Sequence, residues 1–370
     1  MGSALFFLKN QIYAQHMRAH MRVKIKKMNP KKHLYLITFA LIVISIVLFY
    51  IFGSRDIKID NESNDQGIIQ LTTEISPISG LPCKNYNRRP FAVMLAEDEV
   101  ARPLSGLQAA DLIVEMPVLI TGMNRMMAIY VCGDPSEIGS IRSARHDFIP
   151  IAMGFDAIFA HWGGSHFALD KLNNGIMDNI DALKYSRTAF WRQINLPSPH
   201  DGFTSIEKLS AQAEKLGYRL ENTFEGYLHK NVKAQMSNVK YKLEINYPGV
   251  YRVWWEYNPK TNEYLRWRGN EPEKDFNTAN QVKAKNIVVM RAQSHYLEDQ
   301  YNDVDIEGEG KASFYFAGKE IEGSWKKEGH YEKTKLYFYD EAGSEIEFVP
   351  GQIWIEIIEP EKQVTYEMLK

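Results

Sequence analysis

Cysteine is almost absent. Cys83 and Cys132 are the two in 370 residues, too few for a disulfide framework. Cys132 closes the apolar run "MMAIYVC" and is expected to be a buried, inert thiol. Cys83 falls in a loop rich in proline and asparagine. Neither stands directly behind an apolar segment, where a lipid-attachment cysteine would be found. The H-E-x-x-H, C-x-x-C, Walker and G-x-S-x-G patterns are missing as well. Their absence argues against zinc, thiol-redox, nucleotide and serine-hydrolase chemistry. His161 and His166, five apart across a turn, make no zinc pair. No metal and no cofactor is expected.

Acidic residues are missing from the first 33 positions, which hold eight Lys/Arg. The remainder carries 36 basic against 46 acidic residues, so the net charge of -2 conceals an acidic body. An acidic surface argues against a nucleic-acid partner. One long apolar run follows the basic stretch, "LYLITFALIVISIVLFYIF" at residues 34–52, nineteen residues without a charge. At 1.5 Å per residue it spans about 28 Å, close to the ~30 Å hydrocarbon core. The "FYIFGSRD" that follows is a poor cleavage context. A single N-terminal membrane anchor is expected, with its basic flank cytoplasmic and everything after Arg55 outside. Met28 opens a more ordinary leader than Met1, which leaves the true start open.

Beyond the anchor, residues 53–79 read as a linker. Apolar runs at residues 91–96, 112–118, 126–131 and 157–161 read as buried strands. "ARHDFIPIAMGF", "SHFALDKLNNG" and "TSIEKLSAQAEKLGY" read as helices, the last with Thr204 and Glu207 as a capping box. Residues 80–225 are therefore expected to form an α/β domain, a mixed sheet with flanking helices. From residue 235 to 360 the pattern is β only. "YRVWWEYNPKTNEYLRWRG" and "GKASFYFAGKEIEGSWKK" are hairpin signals, and a small sandwich or open barrel is expected. Strand alternation would bury about half of Trp254, Trp255, Tyr264, Trp267 and Trp325; the rest could build a docking surface.

The candidate site comes from arginines at predicted strand ends. Arg102 follows the first strand, Arg125 precedes the third, and Arg142 and Arg145 lead into a helix. Guanidinium forks match phosphate and carboxylate geometry, and ligands of α/β sheets bind beyond strand ends. "HWGGSHF" places His161 at a strand end, lets the backbone at Gly163 and Gly164 approach a ligand closely, and offers Ser165 as a helix cap. Asp111 and Glu115 share one strand face as a carboxylate pair or a solvated edge. The plainer alternative pairs each arginine with a local acid such as Asp111, Glu115, Asp147 or Asp170.

The ordered motifs "ISGLP", "NRRPFAVMLAED", "ARPLSGLQAADLIVEM", "IGSIRSARHDF", "FAHWGGS", "PHDGFTS", "AKNIVVM" and "PGQIWIEI" resemble the YerB-like lipoprotein family of Gram-positive envelopes, over about residues 77–358. That resemblance implies an extracytoplasmic, two-domain protein of unknown biochemical function. Arg102, Asp111, Arg142, Arg145, Gly163 and Gly164 fit the family pattern. Glu97, Asp98, His146-Asp147 and His166 depart from it. The order of strands, arginines and double glycine is also similar to the LytR-CpsA-Psr phosphotransferases. That similarity implies a pyrophosphate held by Arg102, Arg142 and Arg145, with Asp111 facing a metal or a neighbouring arginine.

Three readings follow. The first is a membrane-anchored envelope protein that binds an anionic or glycan ligand, or an envelope enzyme, without turnover. The second is a phosphotransferase-like enzyme built on the arginine cluster. The third is a structural adaptor docking a partner through its β domain. The partners expected are the membrane and either a peptidoglycan or polyprenyl-phosphate ligand or an envelope protein.

Overall fold

The short apolar runs become strands of one sheet. Phe91–Leu95 (β1), Leu112–Pro117 (β2), Asn124–Tyr130 (β3) and Ile158–His161 (β4) are buried along their whole length, as strands covered on both faces must be. This computed structural model describes residues 74–119, 122–230, 236–299 and 301–369. The apolar run at 34–52 lies outside the described residues, and no described helix is long and apolar enough to cross a membrane.

Across a ten-stranded sheet the order is Tyr337–Asp340, Lys319–Lys327, Gly308–Phe316, Asn286–Arg291, Ile353–Ile358, β2, β3, β1, β4, Asn179–Asp181. β1 is antiparallel to β3 and parallel to β4. β2 runs parallel to Ile353–Ile358, with Leu112 opposite Ile353 and Glu115 opposite Glu356. Five strands of the β-rich segment thus join the sheet of the α/β segment instead of closing a sandwich or barrel of their own. The reason lies in composition. "IWIEII" is buried on both faces, so it needs a covered interior position and not a half-solvated one.

A second, six-stranded sheet is built around Tyr241–Ile245, Val253–Asn258, Glu263–Arg268 and Val364–Met368. Its burial alternates residue by residue. Val253, Trp255 and Tyr257 pack in one apolar core with Val93, Leu95 and Ile113 of the ten-stranded sheet. On that sheet's other face, helices Phe148–Gly154 (α1) and His166–Asn173 (α2) cover a second core through Phe148, Ile151, Ala168 and Leu172. Leu71–Lys370 is one compact unit. The helix Ile206–Lys215 is capped by Ser205, whose hydroxyl accepts from the Lys208 amide. Thr204 ends the preceding strand and its hydroxyl donates to Ala189 O at 2.6 Å, so the cap moves to Ser205 and Glu207 falls at the second helical position, where it closes no capping box.

Asp111 and Glu115 are both buried, and neither is a solvated edge. Asp111 Oδ1 accepts from Ser76 Oγ and Ser79 Oγ at 2.7 and 2.8 Å. Its Oδ2 accepts from the Val131 and Cys132 amides at 2.8 and 2.9 Å. The entry segment is thereby pinned to the end of β3. A disulfide between Cys83 and Cys132, Cα atoms 5.8 Å apart, pins it again. The expected inert Cys132 thiol is corrected: residues 49 apart in sequence meet because β3 delivers Cys132 to the edge where the chain enters.

Glu115 belongs to an ionic network between the two sheets. Arg266, fully buried, donates to Glu115, to Glu273 at 2.8 Å and to Glu356 at 2.5 Å. Arg268 contacts Glu97, Glu115 and Glu273. Four carboxylates thus share these two guanidiniums, with Arg102 at the margin, 3.8 Å from Glu97. Burial pushes Glu97 well above its ordinary value and Glu356 up to about 7, against the pull of Arg268 and Arg266 respectively. Burial also raises Glu273, but Arg268 and Arg266 outweigh it and hold that carboxyl near 2.

The signs predict a stability profile. Between pH 4.5 and about 7 the folded state holds protons at Glu97 and Glu356 that the unfolded state has lost, so stability falls as pH rises through that window. Glu273 acts oppositely, losing stability as pH falls from 4.5 toward 2. The melting temperature should therefore peak near pH 4.5 and drop by roughly 3–6 °C toward pH 7.5. Glu356→Gln should flatten that drop. A melting temperature that rises over this range, unaltered by Glu356→Gln, would remove the excess-acid account.

Candidate anion site at a sheet edge

β1 and β4 are parallel, so both end at the same edge of the sheet, where the antiparallel β3 begins. The segment carrying the paired arginines is stitched into this edge. Ala96 N–H donates to Ser140 O at 2.9 Å, Arg142 N–H to Met94 O at 3.0 Å and Trp162 N–H to Arg142 O at 3.1 Å. Ala144 N–H donates to Gly163 O at 2.9 Å, and Ser165 N–H returns to Ala144 O at 3.1 Å. Residues 140–145 thus run between the ends of β1 and β4.

The double glycine makes that insertion possible. Gly163 has φ +62°, a conformation costly for other residues. A Cβ on Gly164 would stand 3.2 Å from Ala144 Cβ and from Leu169. Gly163 spends its polar backbone internally, its N–H donating to Asp181 Oδ1 at 2.8 Å and its carbonyl accepting from Ala144. The pair therefore supports the arginine segment from behind. His161 is fully buried, its Nδ1–H donating to Gly163 O at 2.7 Å, and burial lowers its pKa. Ser165 caps α2 by accepting from the Ala168 amide at 3.3 Å. These four residues position the edge.

Three guanidiniums gather there. Arg125, 4% exposed, donates from Nη1 to Ser143 O at 3.3 Å. Arg145, 8% exposed, donates to Ala144 O at 3.1 Å and lies 5.4 Å from the Tyr301 ring centroid. Burial, then the charges of Arg145 and Arg142, hold Arg125 well below the usual guanidinium range. Arg145 is lowered by burial, with Arg142 adding to it. Arg142 approaches Asp98 at 3.7 Å, and the same carboxylate oxygen is 3.7 Å from His200 Nδ1. Among the described residues, Arg125 and Arg145 have no carboxylate within 4.0 Å, so the local acids named as alternative partners do not neutralise them. Asp98 contacts Arg142 and the His200 imidazole and acts on Arg125 at longer range, while Arg145 feels Asp147 instead. Burial lowers the His200 pKa, with Arg142 and Arg125 acting in the same sense and Asp98 opposing them.

Two of the named residues stand outside this cluster. Arg102 caps backbone carbonyls, donating to Glu97 O at 2.5 Å and Val250 O at 3.2 Å; it borders the site through Tyr251, which feels Arg102 and Arg125 alike. Asp111 precedes β2 at the opposite edge. With Leu112 opposite Ile129 and Met116 opposite Arg125, it is separated from the arginines by roughly 15–20 Å of strand. Its oxygens are committed to Ser76, Ser79 and β3. Asp98, His200, Tyr251 and Tyr301 are not among the candidate site residues read from the sequence. Asp98 and His200 lie in quoted motifs, whereas Tyr251 and Tyr301 arrive from the β-rich segment and carry no local signal.

Two family descriptions match the chain: Protein of unknown function (DUF3048) N-terminal domain over residues 78–219, and its C-terminal domain over residues 243–355. The "Putative lipoprotein YerB" of Bacillus subtilis (strain 168) is 32% identical over 292 residues, covering 76% of this chain and 86% of that protein. The crystal structure of YerB from Bacillus subtilis superposes with a TM-score of 0.72 at 29% identity, over 79% of this chain and 99% of that one. The similarity to LytR-CpsA-Psr phosphotransferases draws no support from these matches, and the position of Asp111 removes the residue assigned to its metal.

Proposed function

Because this chain belongs to the DUF3048 family and is of the YerB lipoprotein type, we propose that it is a membrane-anchored, extracytoplasmic protein that binds an anionic envelope ligand at the edge formed by β1, β3 and β4. The observation that carries the binding reading is the pair Arg125 and Arg145, buried beside Arg142 with no carboxylate partner among the described residues. Buried charges are ordinarily paired, because desolvating an unpaired one costs several kcal/mol. A ligand bearing two or more negative charges, such as a phosphate or pyrophosphate group of a glycan carrier, would offset that cost. Planar forks supply the bidentate geometry it needs. Tyr301 and Trp162 would border the ligand's uncharged part, Trp162 being already covered by Arg192 at 4.3 Å.

Binding of the full-length protein in detergent to inorganic pyrophosphate, undecaprenyl pyrophosphate and peptidoglycan fragments tests this reading. Arg125→Ala or Arg145→Ala should weaken binding about 10- to 100-fold, since a charge-assisted hydrogen bond contributes roughly 1.5–3 kcal/mol. Arg142→Lys, which keeps charge and loses the fork, should also be impaired. Arg252→Ala, at an exposed pair with Glu244, should bind normally. If the wild type binds none of the three ligands, or if all the variants bind equally, the arginines are not a clamp.

A further inference from the structure

A second cluster forms where α1 begins. His146 Nε2 lies 3.3 Å from Asp147 Oδ1 and 3.1 Å from Asp303 Oδ1. One donor atom from each of the three residues falls within 4.8 Å of the others. Asp303 comes from the strand Asn302–Val304, which pairs with Ser294–Tyr296. The site is thus assembled from both halves of the chain. Asp147 is 3% exposed. Its Oδ1 accepts from the Val304 amide at 3.1 Å, while its Oδ2 is buried with no hydrogen-bond donor among the described residues. A cleft of about 400 Å³ is lined by these three residues together with Asp305, Glu307, Lys171 and His330.

The nearby cations are engaged elsewhere. Lys171 lies 4.1 Å over the Tyr331 ring and Arg145 packs on Tyr301. Among the described residues, no lysine or arginine comes within 4.0 Å of Asp147 or Asp303. One imidazole nitrogen and two carboxylate oxygens converge on one point beside open space. That donor set suits a borderline divalent ion, and three protein ligands leave positions free for water or substrate.

We propose that His146, Asp147 and Asp303 bind a divalent first-row transition ion, with Zn²⁺ and Co²⁺ as its probes. The ion ties Asp147, the N-cap of α1 and two residues beyond Arg145, to the hairpin that supplies Tyr301 to the same arginine. The motifs that announce a metal in sequence could not reveal this, since Asp303 lies 157 residues from His146.

Full-length protein purified in detergent and stripped with chelator is titrated with Co²⁺, followed by visible absorption, and then with Zn²⁺. The wild type should bind one Co²⁺ equivalent at this cluster, and Zn²⁺ should displace it. Asp303→Asn changes a half-exposed side chain and so spares the core; with His146→Ala it should weaken that equivalent by more than about 10-fold. His295→Ala, whose imidazole pairs with Asp305 instead, should titrate as the wild type does. If the wild type binds no Co²⁺, or if Asp303→Asn and His146→Ala retain every equivalent at wild-type affinity, the proposal is overturned. The three groups would then be a histidine–carboxylate cluster sharing a proton.

Discussion

Arg266→Met is expected to destabilise the protein by about 3–5 kcal/mol, because removing one member of a buried ionic network leaves its partners uncompensated. Arg266 is fully buried and donates to Glu115, Glu273 and Glu356, with its guanidinium carbon 4.0 Å from the Trp354 ring centroid and 4.8 Å from that of Trp255. Methionine keeps most of the volume, so the loss is electrostatic more than steric. Arg268 would then face the four buried carboxylates with only Arg102, 3.8 Å from Glu97, to help. The pKa values of Glu97 and Glu356 would rise further, and the folded variant would hold more protons than its unfolded chain. The deficit should therefore grow from pH 5 to pH 8. Urea unfolding at both pH values measures it. A loss below about 1 kcal/mol at pH 8 would mean that the network is already neutralised by protons and that Arg266 contributes only packing.

Cys83→Ser combined with Cys132→Ser is expected to cost about 2–4 kcal/mol, from the chain entropy released when a loop of this length is opened. The cysteines are 49 residues apart, and the bond closes the entry segment onto β3 beside Asp111. A melting temperature lower by roughly 5–10 °C should result. Reductant should lower the wild type by a similar amount and leave the double variant unchanged. If reductant shifts neither protein, the two thiols are not bonded in solution and Asp111 alone anchors the segment.

Much of the fold was legible. The runs at 91–96, 112–118, 126–131 and 157–161 became β1 to β4 with ends displaced by one or two residues. Both hairpins appear, Val253–Asn258 with Glu263–Arg268 and Gly308–Phe316 with Lys319–Lys327. Each of these signals is local: a period of two, a turn dipeptide, a cap. Of the aromatics, Trp255, Tyr264 and Trp325 are core, while Trp254 and Trp267 are half-buried and stack at 4.7 Å across their strand pair. Alternation predicts that division.

The sequence by itself determined where strands and helices lie, which arginines sit at strand ends, and that a double glycine follows β4. Only the tertiary structure decided what those residues meet. Sheet register sent Asp111 to the edge opposite Arg125, although Asp111 just precedes β2 and Arg125 lies in the first residues of β3, because β2 and β3 run in opposite directions and roughly 3.3 Å of rise per residue separates their ends. The parallel pairing of β2 with Ile353–Ile358 brought Glu115 to Glu356 and so created a buried acid excess that no window of sequence contains. Pairings of this kind join residues tens to hundreds apart. Their free energy depends on burial between two sheets, and burial is a property of the assembled layers, not of either segment alone.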